Sequence, residues 1–159
     1  MVKENMVEVR FSSIGENVAL ARMVLSAFLL PCDLTYEILD EIKIALSEAV
    51  TNSIIHAYGE AANQTVVLRM CLKNDILTME IEDEGVGIPD IQKALEPEFS
   101  TKEEHMGLGF IFMKTFMDEV EVLSELGKGT KVILRRQLAE EKVISEVGLD
   151  GASFSPPAA

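Results

Sequence analysis

A chain of 159 residues, 48% of them hydrophobic, can close one core and is too short for two comfortable ones. Its formal charge of −13, from 27 acidic against 14 basic residues, argues against nucleic-acid binding, which needs clustered Lys and Arg, and favours a basic protein partner or simple solubility. The two cysteines, Cys32 and Cys71, have no His or Cys at ligand spacing, Met1 begins no apolar signal core, and no apolar run approaches membrane-spanning length, so the expectation is a cytoplasmic protein with no zinc site and no membrane contact.

Val7 to Phe11 alternates apolar and polar residues, as a half-buried strand does, until Ser12, Ser13 and Gly15 interrupt it. A helix is expected from about Glu16 to Leu30, where Val18, Ala21, Leu25 and Leu29 recur at helical spacing before Pro31. Arg22 lies beside this stripe, either as a solvated charge or as a contact for an acidic partner surface. Thr35, with Asp33 as a competing cap, announces a longer helix that runs without Pro or Gly until Gly59. Its stripe of Ile38, Ile42, Leu46, Ala49, Val50 and Ile54 must face the core. At roughly 100° per residue, Glu48 and Asn52 fall on the other side, together with Ile44, Ala45 and Ile55. That helix therefore reads as buried on two faces. Its carboxylate and carboxamide, one turn apart, are either a polar pair on an exposed edge or groups that bind something.

Thr65 to Leu72 and Ile76 to Glu82 read as a β-hairpin around Lys73-Asn74-Asp75. Asp83-Glu84-Gly85-Val86-Gly87-Ile88 follows, an acid and two glycines where a strand gives way to a loop. The same letters make ordinary turn chemistry, yet glycines two apart also let backbone approach a ligand, and the carboxylate can accept from an amino group. Pro89-Asp90 opens a short helix through Leu95, and residues 96–105 are polar, charged and without period, as a mobile segment would be. Gly107-Leu108-Gly109 then precedes a helix from Phe110 to Met117, read either as a hinge or as a set of bare N-terminal amides for an anion. Glu119 to Glu125 and Thr130 to Arg136 form a second hairpin across Leu126-Gly127-Lys128-Gly129. The sequence thus predicts one domain over residues 1–137, a two-layer α/β sandwich with a mostly antiparallel sheet covered by helices, and an acidic, flexible tail over 138–159. Glu48, Asn52, Asp83 and the glycine pairs together suggest a nucleotide pocket, without a Walker loop.

These segments resemble the boxes of the Bergerat-fold ATPases, the group of gyrase, Hsp90, histidine kinases and MutL. Glu48-Ala-Val-Thr-Asn52 with Ile-Ile-His56-Ala-Tyr58 is similar to the N box; Asp83 to Gly87, Gly107 to Gly109 and Gly127 to Thr130 are similar to the three glycine boxes. Ser47 to Asn52, Phe99-Ser-Thr-Lys102 and Phe116-Met-Asp118 are closest to the sporulation anti-sigma F branch, whose members are serine kinases. The resemblance spans residues 7–137. It implies ATP or ADP as ligand, with Asn52 on a magnesium ion, Asp83 accepting from the adenine amino group, and Thr130 in support. It makes Gly85, Gly87, Gly107 and Gly109 the floor and the phosphate-side lid over Leu95 to Met106, and Glu48 the general base for a serine hydroxyl. It further implies a homodimer that holds a sigma factor, an anti-anti-sigma protein as serine substrate, and partner contacts near Arg22. One departure stands out: Glu103-Glu104-His105-Met106 lacks the arginine that this branch commonly carries in its lid, leaving Lys102 as a point charge instead. The alternatives are a general-stress anti-sigma kinase and a module that sequesters sigma without efficient phosphoryl transfer.

Overall fold

Asn74 and Asp75 both adopt positive φ, 52° and 59°, as a two-residue turn between right-twisted antiparallel strands requires. The computed structural model describes residues 4–96 and 105–139. In chain order, β1 (Asn5–Ser12), α1 (Asn17–Leu29) and α2 (Tyr36–Asn52) precede the hairpin of β2 (Thr65–Lys73) and β3 (Ile76–Asp83). Then come α3 (Ile91–Leu95), α4 (His105–Phe116), β4 (Glu119–Glu125) and β5 (Gly129–Gln137). The strands form one sheet in the order β1-β2-β3-β5-β4, every neighbouring pair antiparallel.

Strand alternation sends Leu68, Met70, Leu72, Leu77, Met79 and Ile81 to the helix side, where all are buried. Leu25, Ile42, Leu46, Phe110 and Met113 meet them from the helices, so the sequence expectation of a two-layer sandwich holds. On the opposite side, Arg69 Nε lies 2.7 Å from Glu8 Oε2 and its guanidinium also pairs with Glu82, while Lys131 Nζ lies 3.7 Å from Glu82 and 3.9 Å from Glu80. Each such pair stabilises little. Their row across the strands gives the uncovered side a polar surface.

Thr35 is the cap that wins: its hydroxyl accepts the Ile38 N–H at 3.3 Å and starts α2. Helix α2 packs between α1 and α4, and its Ile42, Ala45, Leu46, Ala49 and Val50 are buried. Arg136 ties the layers at one end, with Nη1 donating to the Phe116 carbonyl at the C-terminus of α4 and Nη2 2.7 Å from Glu41 of α2. Two helix boundaries differ from the sequence reading. The long helix does not continue regularly to Gly59; over Ser53–Ala57 it widens into a π-turn, and Ile55, expected on a buried face, is 37% exposed. Helix α4 begins by His105 rather than Phe110, which places Gly107 and Gly109 inside its first turns instead of before a bare N-terminus. Residues 97–104, most of the expected mobile segment, lie outside the described residues, as does the tail from Glu140.

The β4–β5 turn separates two uses of glycine. Gly127 takes φ of 76° with open space where a side chain would stand, whereas Gly129, at φ of 104°, would drive a Cβ into the Asp83 carbonyl. Gly127→Ala should therefore cost about 1 kcal/mol, the strain of a left-handed alanine. Gly129→Ala should cost about 1–3 kcal/mol beyond that, because the obstruction is backbone. Urea unfolding of both variants checks this, and equal costs would contradict the close approach of the two strands.

Candidate functional site

Asp83 ends β3 and points inward, only 5% exposed. Its Oδ1 accepts the Gly85 N–H at 3.0 Å and the Thr130 N–H at 3.1 Å, and Ser53 hydrogen-bonds the same carboxylate. Burial nevertheless dominates and pushes the carboxyl above the ordinary aspartate range, with Glu82 adding to the rise and these donors opposing it. Glu82, one residue earlier, shows the reverse: it faces outward, and the hydrogen bond from Arg69 lowers its pKa. Strand parity alone separates a charged surface carboxylate from a buried one held ready for a donor.

The loop after Asp83 is fixed by acceptors from the end of the long helix and from β4. Tyr58 Oη accepts the Glu84 N–H at 2.7 Å and donates to the Thr65 carbonyl at 2.8 Å. The Ala57 carbonyl accepts the Val86 N–H at 3.2 Å, and the Ser124 hydroxyl accepts the Ile88 N–H at 2.8 Å. Gly85 has no room for a side chain, since a Cβ would strike Ala57, and Gly87 takes φ of 76° against the Glu125 carbonyl. Both glycines that the sequence singled out are therefore required by contact or conformation.

The facing wall is α2. A Cβ placed on Gly109 would stand 3.0 Å from Glu48 Oε2, 3.5 Å from Asn52 Oδ1 and 3.6 Å from Asn52 Nδ2, so both polar heads converge on this one position of α4. Asn52 Nδ2 is buried without a hydrogen-bond partner, an arrangement that is costly unless an acceptor meets that amide. A carboxamide can offer its oxygen to a hard cation as readily as its nitrogen to an acceptor. Between the walls, Ala49, Asn52, Ser53, His56, Asp83, Gly87, Ile88, Phe110 and Thr130 line a cleft. An acceptor at one end, an orphaned amide and a carboxylate at the other, and apolar side chains between them fit a nucleotide with its divalent cation.

The structure thus brings together Glu48, Asn52, Asp83, Gly85, Gly87, Gly109 and Thr130. Gly107 sits in the same α4 segment, two residues before Gly109. Arg22 stands apart, on α1, where Nη1 donates to Ser47 Oγ at 3.0 Å beside Glu48; Lys102 lies outside the described residues. Sequence reading gave no role to Ser53, His56, Tyr58 or Ser124, all of which hold or line the site. The signal for Ser124 was its parity, a hydroxyl at an inward position of β4 after Val120 and Val122. For His56 it was the four-residue step from Asn52.

Residues 11–136 match the histidine kinase-like ATPase domain family. The anti-sigma F factor of Geobacillus kaustophilus is 43% identical over 142 residues, 88% of this chain and 97% of the relative. That of Caldanaerobacter subterraneus is 44% identical over 144 residues, 89% of this chain and 100% of the relative. Among solved structures, the RsbU and RsbW domains of a Mycobacterium tuberculosis protein superpose with a TM-score of 0.59 at 16% identity, covering 84% of this chain and 32% of that one, a likeness of fold alone. The buried aspartate, the Glu48–Asn52 pair and near full-length identity with these relatives agree, and the chain belongs to the histidine kinase-like ATPase domain family, among the anti-sigma F factors.

Proposed function

We propose that the protein is an anti-sigma factor that binds ATP and ADP in this cleft and transfers the γ-phosphoryl group to a serine of an anti-anti-sigma protein. The observation that carries the reading is the convergence of the Glu48 and Asn52 side chains on Gly109, across the cleft from buried Asp83. Asp83 accepts from the adenine amino group, and Thr130 supports it through its amide. Asn52 holds the magnesium ion that accompanies the nucleotide, which when bound neutralises charge on the phosphate oxygens. Glu48 aligns the serine hydroxyl and takes its proton as the serine oxygen bonds to the γ-phosphorus and the bond to the β,γ-bridging oxygen breaks, leaving ADP. Gly107 and Gly109 let α4 lie close over that end, and Lys102 supplies a lid cation.

The sigma factor is the other partner, in keeping with the names of the relatives. Helix α1 offers it Arg22, which pairs with no carboxylate among the described residues, beside Leu20 and Met23, 40% and 70% exposed. A homodimer completes the reading. A second reading, sequestration without efficient transfer, rests on the absence of arginine from Glu103 to Met106. Incubation with γ-labelled ATP and a candidate anti-anti-sigma protein separates them: labelled serine supports the kinase, whereas sigma binding without labelled protein supports the sequestering module.

Three variants test the site. Asn52→Ala should lower magnesium-dependent ATP affinity on the order of 10–100-fold while the empty protein keeps most of its thermal midpoint, because the buried Nδ2 has no hydrogen bond to lose; unchanged affinity by calorimetry removes Asn52 from the site. Glu48→Gln should bind ATP nearly as the parent does and slow serine phosphorylation by about 100-fold or more. Parent-like single-turnover rates would exclude Glu48 as the base.

Asp83→Asn concerns pH. The raised pKa of Asp83 means that folding favours its protonated form, so its charge destabilises the empty protein above the raised value and does not below the ordinary aspartate range. The asparagine keeps an oxygen for the Gly85 and Thr130 amides and carries no charge. Its thermal midpoint should therefore exceed that of the parent at pH 7, with the gap closing as pH falls through the carboxylate range, while ATP affinity drops about tenfold. A midpoint below the parent's at neutral pH would show that the charge is stabilising.

A further inference from the structure

Ser124, on β4, lies outside the N box and the three glycine boxes, yet its hydroxyl meets three partners. The Ile88 N–H donates to it at 2.8 Å, the Gly129 carbonyl lies at 3.1 Å, and Thr130 Oγ1 lies at 2.8 Å. A hydroxyl has one proton to give. The Ile88 amide can only donate and the Gly129 carbonyl can only accept. With all three contacts made, the Ser124 proton goes to Gly129, and the proton between the two hydroxyls must come from Thr130. Thr130 lines the cleft beside Asp83, whose Oδ1 takes its amide at 3.1 Å. Its proton is thereby directed away from the cleft, leaving lone pairs on the cleft side.

We infer that Ser124 is a positioning residue for base selection: by drawing the Thr130 proton to itself, it makes the wall at Asp83 and Thr130 an array of acceptors. Such a wall favours a base edge carrying an amino group and disfavours one carrying a carbonyl oxygen at the same place. Without Ser124, the Thr130 hydroxyl is free to turn its proton into the cleft and satisfy that oxygen. The inference rests on the nucleotide reading above and assigns its base discrimination to a residue that touches no part of the ligand.

The test compares calorimetric affinities of the full chain for magnesium ATP and for inosine triphosphate, in which a carbonyl replaces the 6-amino group. Ser124→Ala should weaken ATP and leave inosine triphosphate little changed, so that the ratio of the two affinities falls about tenfold, the scale of one hydrogen bond. Ser124→Thr, which keeps the hydroxyl, should retain the parent ratio. Thr130→Val should lower the ratio as Ser124→Ala does, and the double variant should lower it no further. A parent-like ratio in Ser124→Ala, or in Thr130→Val should Ser124→Ala not fold, overturns the inference while leaving nucleotide binding intact. A parent that binds neither nucleotide overturns both.

Discussion

The site depends on one costly arrangement, a carboxylate removed from water. A buried carboxylate is tolerable only with donors aimed at it. For Asp83, two of them are main-chain amides whose places are set by the sheet and the turn: Thr130 by the β3–β5 register, which puts it opposite Asp83, and Gly85 by the reversal that follows. A slip of one residue in that register would exchange Asp83 with Glu82 and carry the acid to the outer side, where Arg69 would neutralise it. The two hairpins therefore do more than complete a sheet. They place a partly compensated acid at the end of a cleft, and the compensation falls short, which is why the carboxyl is held above its usual range and a ligand's donor is welcome there.

The second wall is coupled to the first through an irregular helix end. In a regular helix the Ala57 carbonyl would be directed along the axis. Past Asn52, however, the helix widens, the Glu60 amide reaches back to the Ile54 carbonyl at 2.9 Å, and the Ala57 carbonyl accepts from Val86 of the glycine loop. Tyr58 adds its phenol to the Glu84 amide two residues earlier in that loop. The distance between Asp83 on one wall and Glu48 and Asn52 on the other is thus set by backbone contacts near Ala57, the place where Gly85 tolerates no side chain. Small residues on both sides of that contact are a requirement of the site's span.

Much of this was legible in the sequence. The strands declared themselves by alternation, α2 by its stripe and by Thr35, and the glycine boxes by their spacing, because each is a local pattern with a local cause. What escaped had a non-local cause. The early start of α4 sits in a polar stretch without period, and the packing of α4 on α2 comes from residues far away in the chain. The π-turn has no periodic signature over five residues, and it exposes Ile55 where helical spacing placed it inside. Ser53, Tyr58 and Ser124 acquire their roles only once the register and the turn bring backbone amides and a carboxylate within reach. Hydroxyls in an apolar pattern at inward positions are the one trace such residues leave.

The charge of the chain gives the use of asparagine at position 52 a physical reason. A net charge of −13, with Asp83 lining the cleft and Glu48 next to Gly109 at its side, would set a repulsive background for a polyphosphate. Asp83 belongs to the other wall of the cleft, whereas Glu48 and Asn52 converge on one point. A second carboxylate there would strengthen a cation's binding to the empty protein and at the same time raise the repulsion felt by the phosphates it must escort. If Asn52 holds a cation as proposed, a neutral carboxamide would supply an oxygen without adding that charge, and the cation would be held best when already bound to the nucleotide. The buried, unpartnered Asn52 Nδ2 is in keeping with that proposal, as a polar group awaiting a ligand.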